Sequence, residues 1–179
     1  MAERPALYVH VGVTRRLLAL PGLPWEVGGW LLGYWSADER SVVISHATPP
    51  GPRGTPFGVR IGAEGHRDRF DQAWTASDGH VTFLGDWHTH PGGPVAPSEK
   101  DREALRKLAT QPDYDTPQPL AIIVQAPRWP WQAARRALGC FMRDSKGAVE
   151  PLAMTVTDEL AGPAASVPPW RWPARRWPG

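Results

Sequence analysis

The sequence predicts an α/β or α+β sandwich, in which helices pack on a mixed β-sheet. Short apolar segments with strand character alternate irregularly with segments of helical periodicity. Two strand-like segments flank a turn at residues 37–40, which indicates a hairpin within the sheet. With 179 residues, the chain is long enough for one domain with a substantial core, and a second full domain is not expected.

The individual elements follow from local patterns. Residues 7–11 alternate as a first strand, and residues 14–20 form a short predicted helix that ends at Pro21 and Gly22. Residues 26–35 are apolar and aromatic with three glycines, which indicates a buried strand with close backbone neighbours. The other predicted elements are a strand at 41–48, a helix at 63–76, a strand at 81–87, a helix at 98–110 and strands at 120–125 and 137–143.

Two proline-rich segments are predicted to lie outside regular structure. Residues 49–57 contain four prolines and two glycines, so we expect a surface loop that is long enough to act as a flap. Residues 162–179 contain five prolines and three tryptophans, which favours an extended tail without packed secondary structure. The predicted division is therefore a globular domain at 1–161 and a tail at 162–179.

The charge, hydropathy and cysteine content of the chain limit the classes of function that it can have. The chain has 20 Lys and Arg against 18 Asp and Glu, so its net charge of +2 does not require nucleic acid or an anionic membrane as partner. No export signal and no long apolar run is recognised, so we expect a cytoplasmic protein without a membrane span. Because Cys140 is the single cysteine, any metal must be held by histidines and carboxylates.

Residues 81–101 contain a candidate metal site. If residues 81–90 form a strand, His88 and His90 are two positions apart and project from the same face. After Pro91 a glycine and proline loop turns the chain, and the helix that starts at Ser98 brings Asp101 back in its first turn. Three protein ligands leave the fourth tetrahedral position to water, as in catalytic zinc sites.

Each of these signals has a structural alternative when it is taken alone. A single histidine at a strand end is more often hydrogen-bonded than metal-bound, and Ser98 to Asp101 also has the spacing of a helix capping box. Glu26 alone is an ordinary surface acid. The capping role and the metal role are compatible, and the joint spacing of His88, His90, Ser98 and Asp101 is too specific for chance to be a good account.

The pattern His-x-His-Pro, six residues, Ser, two residues, Asp at residues 88–101 resembles the JAMM (MPN+) motif of JAB-type metallopeptidases without a gap. Residues 26–33 also resemble the first core strand of that family, and the resemblance extends over roughly residues 7–143. It implies a curved sheet between helices, similar to cytidine deaminases. It also implies one zinc ion on His88, His90 and Asp101, proton transfer by Glu26, and oxyanion stabilisation by Ser98.

The resemblance further implies hydrolysis of isopeptide or peptide bonds at the C-terminus of a ubiquitin-like protein. The compact size and the sequence of residues 85–91 are most similar to prokaryotic JAB proteins. Those proteins accompany E1-like and E2-like enzymes in bacterial ubiquitin-like or CD-NTase-associated anti-phage operons. The implied partners are therefore a ubiquitin-like conjugate as substrate and E1-like and E2-like operon proteins, with deconjugation or maturation as the activity.

Three other functions remain open. A metal-free MPN scaffold has the same fold, although the complete set of His88, His90 and Asp101 argues against it. A JAB-fold hydrolase of a different amide would share every catalytic residue. A nucleic-acid binder is the least favoured, and it would stack bases on aromatic and arginine side chains of the tail, namely Trp170, Arg171, Trp172, Arg175, Arg176 and Trp177.

Overall fold

A computed structural model describes residues 4–52, 54–132, 135–160, 162–168, 170 and 172. Within these residues the chain forms one eight-stranded sheet and three α-helices. In chain order they are β1 (Ala6–His10), α1 (Val11–Leu18), β2 (Gly28–Trp35), β3 (Ser41–Ala47), α2 (Arg67–Ala76), β4 (Thr82–Pro91), α3 (Glu99–Leu108), β5 (Leu120–Ala126), β6 (Ala137–Arg143), β7 (Val149–Pro151) and β8 (Met154–Thr157). In the described chain no helix is both long and apolar enough to cross a membrane.

The sheet is mixed, as the sequence predicted. Its strand order is β7-β6-β5-β4-β2-β3-β1-β8. The predicted hairpin is present, since β2 pairs antiparallel with β3, and β2 also pairs antiparallel with β4. On its other side β4 runs parallel to β5. The strand that carries both histidines of the motif is therefore central and supported from both sides.

Helices cover both faces of the sheet. Along β5, Ile122 and Val124 belong to the same core cluster as α1, whereas Ala121 and Ile123 pack with Leu105 of α3. Because successive strand residues point to opposite faces, α1 lies on one face and α3 on the other. Helix α2 packs through Ala73 against the β2 and β4 residues that face away from α1. The result is the predicted sheet between helices.

The structure contains two short strands that the sequence did not predict. β7 has three residues and pairs antiparallel with β6, and β8 has four residues and pairs parallel with β1. Both strands lie at the edges of the sheet. Strands of this length show too few alternations to be recognised by period, and their pairing depends on neighbours distant in sequence.

The expectation of an unpacked tail after residue 161 is wrong for the residues that the structure describes. Gly162–Ser166 forms a short 3-10 helix, and Trp170 is buried with its indole N–H donating to Gln72 Oε1 at 3.2 Å. The Trp172 ring stacks on Trp87 at a centroid distance of 5.3 Å. Proline prevents regular helix or strand, but it does not prevent large aromatic side chains from burying apolar area. The boundary at 161 stays a prediction, and Arg171, Arg175, Arg176 and Trp177 lie outside the described residues.

Candidate metal centre

The central strand β4 directs His88 and His90 to one side of the sheet. Between them Thr89 points the other way, and its Oγ1 accepts a hydrogen bond from Val27 N at 3.0 Å. Both histidines are buried, with 5% and 9% of their surface exposed. Their Nε2 atoms lie 3.2 Å apart, so the two rings converge on one point.

Helix α3 brings Asp101 to the same point. A loop at residues 92–97 reverses the chain, and it is anchored where Gln125 Nε2 donates to Gly93 O at 3.0 Å. Asp101 lies in the first turn of α3, with its Oδ1 3.2 Å from His88 Nε2 and its Oδ2 3.4 Å from His90 Nε2. The predicted strand, loop and capped helix thus bring together the three residues that the sequence selected, and their candidate ligand atoms all lie within 4.8 Å of one another.

Acceptor oxygens next to the two Nδ1 atoms orient both rings for metal binding. Nδ1 of His90 lies 3.0 Å from the carbonyl oxygen of Pro94, which can only accept, so Nδ1 carries the proton and Nε2 presents a lone pair. Nδ1 of His88 faces Asp86 Oδ1 at 3.6 Å, which favours the same tautomer. Asp86 and Pro94 were not predicted as site residues, although Asp86 stands two positions before His88 and so on its side of the strand.

The separations between the three candidate ligand atoms fit a metal ion. Two ligands that each lie about 2.0 Å from a tetrahedral zinc ion are about 3.3 Å apart. The two Nε2 atoms lie 3.2 Å apart, and Asp101 places Oδ1 3.2 Å from His88 Nε2 and Oδ2 3.4 Å from His90 Nε2, so each of these separations is close to this edge length. When both imidazoles are neutral, their Nε2 lone pairs and the carboxylate face one another at this range, so a cation between them, a proton or a metal ion, is favoured. The His88, His90 and Asp101 cluster therefore fits a metal site.

The pKa shifts of His88 and Asp101 also indicate that a positive charge is favoured between the side chains of the cluster. Burial lowers the pKa of His88, but hydrogen bonds to Asp101 and Asp86 outweigh burial and raise that pKa to about 10. Burial raises the pKa of Asp101, but hydrogen bonds from His88 and His90 outweigh it and hold that pKa well below its usual range. Both shifts mean that the space between the rings and the carboxylate favours a cation.

Glu26 stands beside this cluster, two residues before the start of β2. Residues of the 49–57 loop hold its backbone from both sides, since Glu26 N donates to Thr55 O at 2.9 Å and Gly54 N donates to Glu26 O at 2.8 Å. Its side chain is 9% exposed, and burial raises its pKa, against the opposing influence of His88 and His90. A buried carboxylate with a raised pKa accepts a proton more readily than one in water.

Two clefts meet at the cluster. A cleft of about 280 Å³ runs between residues 57–61 and α3 and is lined by His88 and Asp101. A second cleft of about 450 Å³ runs past residues 91–93 and is lined by His90. Both clefts share four lining residues, which are Glu26, Phe57, Ser98 and Lys100.

The loop at 49–57, which the sequence predicted as a possible flap, forms part of both cleft walls through Phe57. Its ring is 77% exposed. The structure therefore brings Glu26 and Ser98 to the same groove as His88, His90 and Asp101, while the chemical roles of these residues remain predictions.

Known proteins are similar to this chain over the region that contains the cluster. The family model for prokaryotic homologs of the JAB domain matches residues 15–137. The probable metalloprotease y4qB of Sinorhizobium fredii is 32% identical over 123 residues, covering 63% of this chain and 74% of that protein. A CD-NTase/cGAS isopeptidase of Pseudomonas aeruginosa is 37% identical over 101 residues, covering 55% of this chain and 62% of that protein.

A second CD-NTase/cGAS isopeptidase, from Enterobacter hormaechei, is 31% identical over 101 residues, and the chain spans only about half of its length, 54%. Among solved structures, a protein from Desulfitobacterium hafniense superposes with a TM-score of 0.58 at 19% identity, covering 86% of this chain and 94% of that one. At that identity the likeness concerns the fold alone. The family model matches more than half of the chain, including His88, His90 and Asp101, so the chain belongs to the prokaryotic homologs of the JAB domain.

Proposed function

We propose that the protein is a zinc-dependent peptidase that hydrolyses the isopeptide or peptide bond after the C-terminus of a ubiquitin-like protein. The observation that carries this proposal is the convergence of His88, His90 and Asp101, whose candidate ligand atoms lie within 4.8 Å of one another, in a groove that also contains Glu26 and Ser98. The names of the relatives, a probable metalloprotease and two isopeptidases, support the same reaction class.

His88, His90 and Asp101 would hold the metal. Two imidazoles and one carboxylate are a typical donor set for catalytic zinc, and three protein ligands leave a position for water. Zinc in such a site lowers the pKa of water to about 7 and polarises a carbonyl group. Asp86 and the Pro94 carbonyl would keep the two imidazoles in the tautomer that binds metal.

Glu26 would act as the general base and then as the general acid. It is an acid in the shared lining of both clefts, and it lies outside the group of three ligands. It would take a proton from the attacking water and give it to the leaving amine. The raised pKa of Glu26 suits this exchange, because the group must be protonated and deprotonated within one catalytic cycle.

Ser98 would stabilise the oxyanion that develops on the substrate carbonyl. Its Oγ accepts a hydrogen bond from Asp101 N at 3.3 Å, which uses a lone pair and leaves the hydroxyl proton available. The same side chain lines both clefts. The serine would therefore combine helix capping with hydrogen-bond donation to the substrate.

The groove suits an extended chain rather than a folded domain. Clefts of about 280 and 450 Å³ accept a few residues on either side of the scissile bond. Small residues such as glycine fit beneath Phe57, and the folded part of the substrate would remain outside. A ubiquitin-like tail has this character, and the proposal includes E1-like and E2-like operon partners, anti-phage defence and a cytoplasmic location.

The competing functions are less well supported. The complete His88, His90 and Asp101 set argues against a metal-free scaffold. Trp170 is buried and Trp172 stacks on Trp87, so neither ring is free to stack on a nucleic-acid base. A hydrolase of a non-ubiquitin amide would use the same five residues, and it differs from our proposal only in its substrate.

The proposal is tested with two coumarin amides, one on the C-terminus of ubiquitin and one on a short peptide that ends in Gly-Gly. We expect coumarin release from at least one of them by the zinc-loaded protein, loss of release after chelation, and recovery on adding zinc. Glu26→Gln serves as the inactive control with the metal retained. If the parent protein binds zinc and cleaves neither amide, the proposal of a ubiquitin-like substrate is wrong.

A further inference from the structure

A separate cavity, of about 410 Å³, lies at the other end of β4 from the metal centre. Phe83, which lines it, is five residues from His88 along the strand, or about 16 Å at the rise of a β-strand. Its walls come from β2, α2, β4 and the short 3-10 helix Pro112–Tyr114. We call this cavity the aromatic pocket, and its ring-bearing residues are Trp30, Phe70, Trp74, Phe83 and Tyr114.

Core packing explains only part of this cluster. Trp30 and Phe83 are 3% and 5% exposed, and their ring centroids lie 5.0 Å apart in an edge-to-face arrangement. Trp74 is different, since it is 46% exposed and continues the ring array outward from Phe70 at 6.0 Å. Because Trp74 lines the cavity and is half-exposed, part of its ring surface is available to a ligand.

The pocket already shows an attraction for cations. The guanidinium carbon of Arg67 lies 5.6 Å from the centroid of the Phe70 ring. Arg67 is also paired with Asp71, at 3.1 Å, so its charge is balanced outside the pocket. The half-exposed Trp74 ring carries the same negative quadrupole on its faces and can accept a second cation.

The rim of the pocket supplies negative charge without a partner. Asp113 and Asp115 line the cavity and are exposed, and neither has an ion pair or a side-chain hydrogen bond among the described residues. Asp115 adopts a left-handed conformation with φ 43°, which is uncommon for a residue other than glycine. With the charge of Arg67 balanced by Asp71, two free carboxylates beside aromatic walls favour a cationic ligand over a neutral or anionic one.

We propose that the aromatic pocket binds an arginine side chain of a protein partner. A planar guanidinium can stack on a ring face while its N–H groups donate to carboxylates, which a compact ammonium does less well. Trp74 would contact the flat face of this group, and Asp113 and Asp115 would accept its hydrogen bonds. The site is separate from the metal centre, so this inference stands independently of the proposed reaction.

The test follows the indole N–H signal of Trp74 by NMR in the 179-residue chain, assigned with Trp74→Phe. The probes are N-acetyl-arginine methylamide and its neutral counterpart N-acetyl-norleucine methylamide. We expect the arginine probe to cause a saturable shift with a dissociation constant on the order of 1 to 10 mM, as for a single side chain. Asp113→Asn with Asp115→Asn should weaken this binding about tenfold.

A matched control removes two acids of α2 and its preceding turn that do not line the pocket, through Glu64→Gln with Asp68→Asn. This variant should bind the arginine probe like the parent. The proposal is overturned if the arginine probe gives no saturable shift, if norleucine binds equally well, or if the Asp113 and Asp115 substitutions leave the affinity unchanged. An equal loss in the control variant would also overturn it, because the effect would then be one of net charge.

Discussion

Ser98 and Asp101 hold each other through two reciprocal hydrogen bonds at the start of α3. The Ser98 N–H donates to Asp101 Oδ2 at 2.6 Å, and the Asp101 N–H donates to Ser98 Oγ at 3.3 Å. This is the capping box that the sequence predicted, and it uses the carboxylate that lies 3.4 Å from His90 Nε2. Helix capping therefore orients a candidate metal ligand.

The first prediction separates the two roles of Ser98. Ser98→Ala should lower the free energy of unfolding by about 1 kcal/mol through the lost cap, and it should lower kcat about 100-fold through the lost oxyanion donor. Ser98→Gly is the control, because glycine at an N-cap costs only a few tenths of a kcal/mol. Urea unfolding and steady-state kinetics are compared for both variants. If Ser98→Gly keeps parental kcat, the serine acts only as a cap.

The second prediction concerns metal content. The purified protein should hold one zinc per chain, and His88→Ala or Asp101→Ala should greatly weaken binding, because two remaining ligands compete poorly with chelators. His80→Ala is the matched control, since His80 is exposed and outside the cluster. Elemental analysis after dialysis against a chelator gives the answer. Full zinc retention by the double variant His88→Ala with His90→Ala would contradict the assignment.

The third prediction concerns proton transfer. Glu26→Gln should retain fold and zinc but lose turnover by about 100-fold or more, because the amide has nearly the same shape and cannot carry the proton. Its backbone bonds to Thr55 and Gly54 do not depend on the side chain, so the loop should stay in place. Zinc content and cleavage rate are measured on the same sample. Parental cleavage by Glu26→Gln would mean that another group is the base.

Short-range sequence patterns were sufficient to predict the central strand and the metal cluster. They were insufficient to predict the edge strands and the packing of the C-terminal tryptophans. His88 and His90 were placed on one face by the period of two along a strand, and Asp101 by the capping box, which are both short-range rules. The packing of Trp170 near Gln72, and the pairing of β8 with β1, join residues about 100 or more positions apart. The proline content of residues 162–179 predicts an irregular backbone, but it does not predict where the tryptophans of this segment pack.

The fourth prediction concerns pH and the buried His66. Burial and, to a lesser extent, the charge of Arg69 lower the pKa of His66 to about 4, and its Nδ1 lies 2.8 Å from Thr48 Oγ1. The unfolded chain has a histidine pKa near 6.5. Between these pH values the unfolded state binds a proton at His66 that the folded state does not bind. Titration of His66 therefore leaves the free energy of unfolding unchanged above pH 6.5 and lowers it as the pH decreases toward 4.

His66→Asn isolates this contribution, because asparagine keeps a polar group near the position of Nδ1 and does not titrate. We expect the variant to be less stable at pH 7 and to lose less stability than the parent between pH 6.5 and 4, measured as urea midpoints. His46, whose pKa burial also lowers to about 4, is present in both proteins and cancels in the comparison. Parallel pH profiles would show that His66 is not the group responsible.

The last prediction concerns the loop at 49–57 as a flap over the substrate. Replacing the whole loop by Gly-Gly would be a poor test, because Thr55 and Gly54 hold the backbone of Glu26 and the deletion would disturb the base as well. Phe57→Ala is sharper, since the ring is 77% exposed and lines both clefts. A flap that covers an entering chain contributes to binding, so KM for a ubiquitin-like fusion should rise about tenfold, with kcat and zinc content nearly unchanged. Phe57→Tyr retains the ring and should restore the parental KM. Unchanged KM in Phe57→Ala would show that the loop only connects β3 to α2 and that the substrate is recognised on another surface.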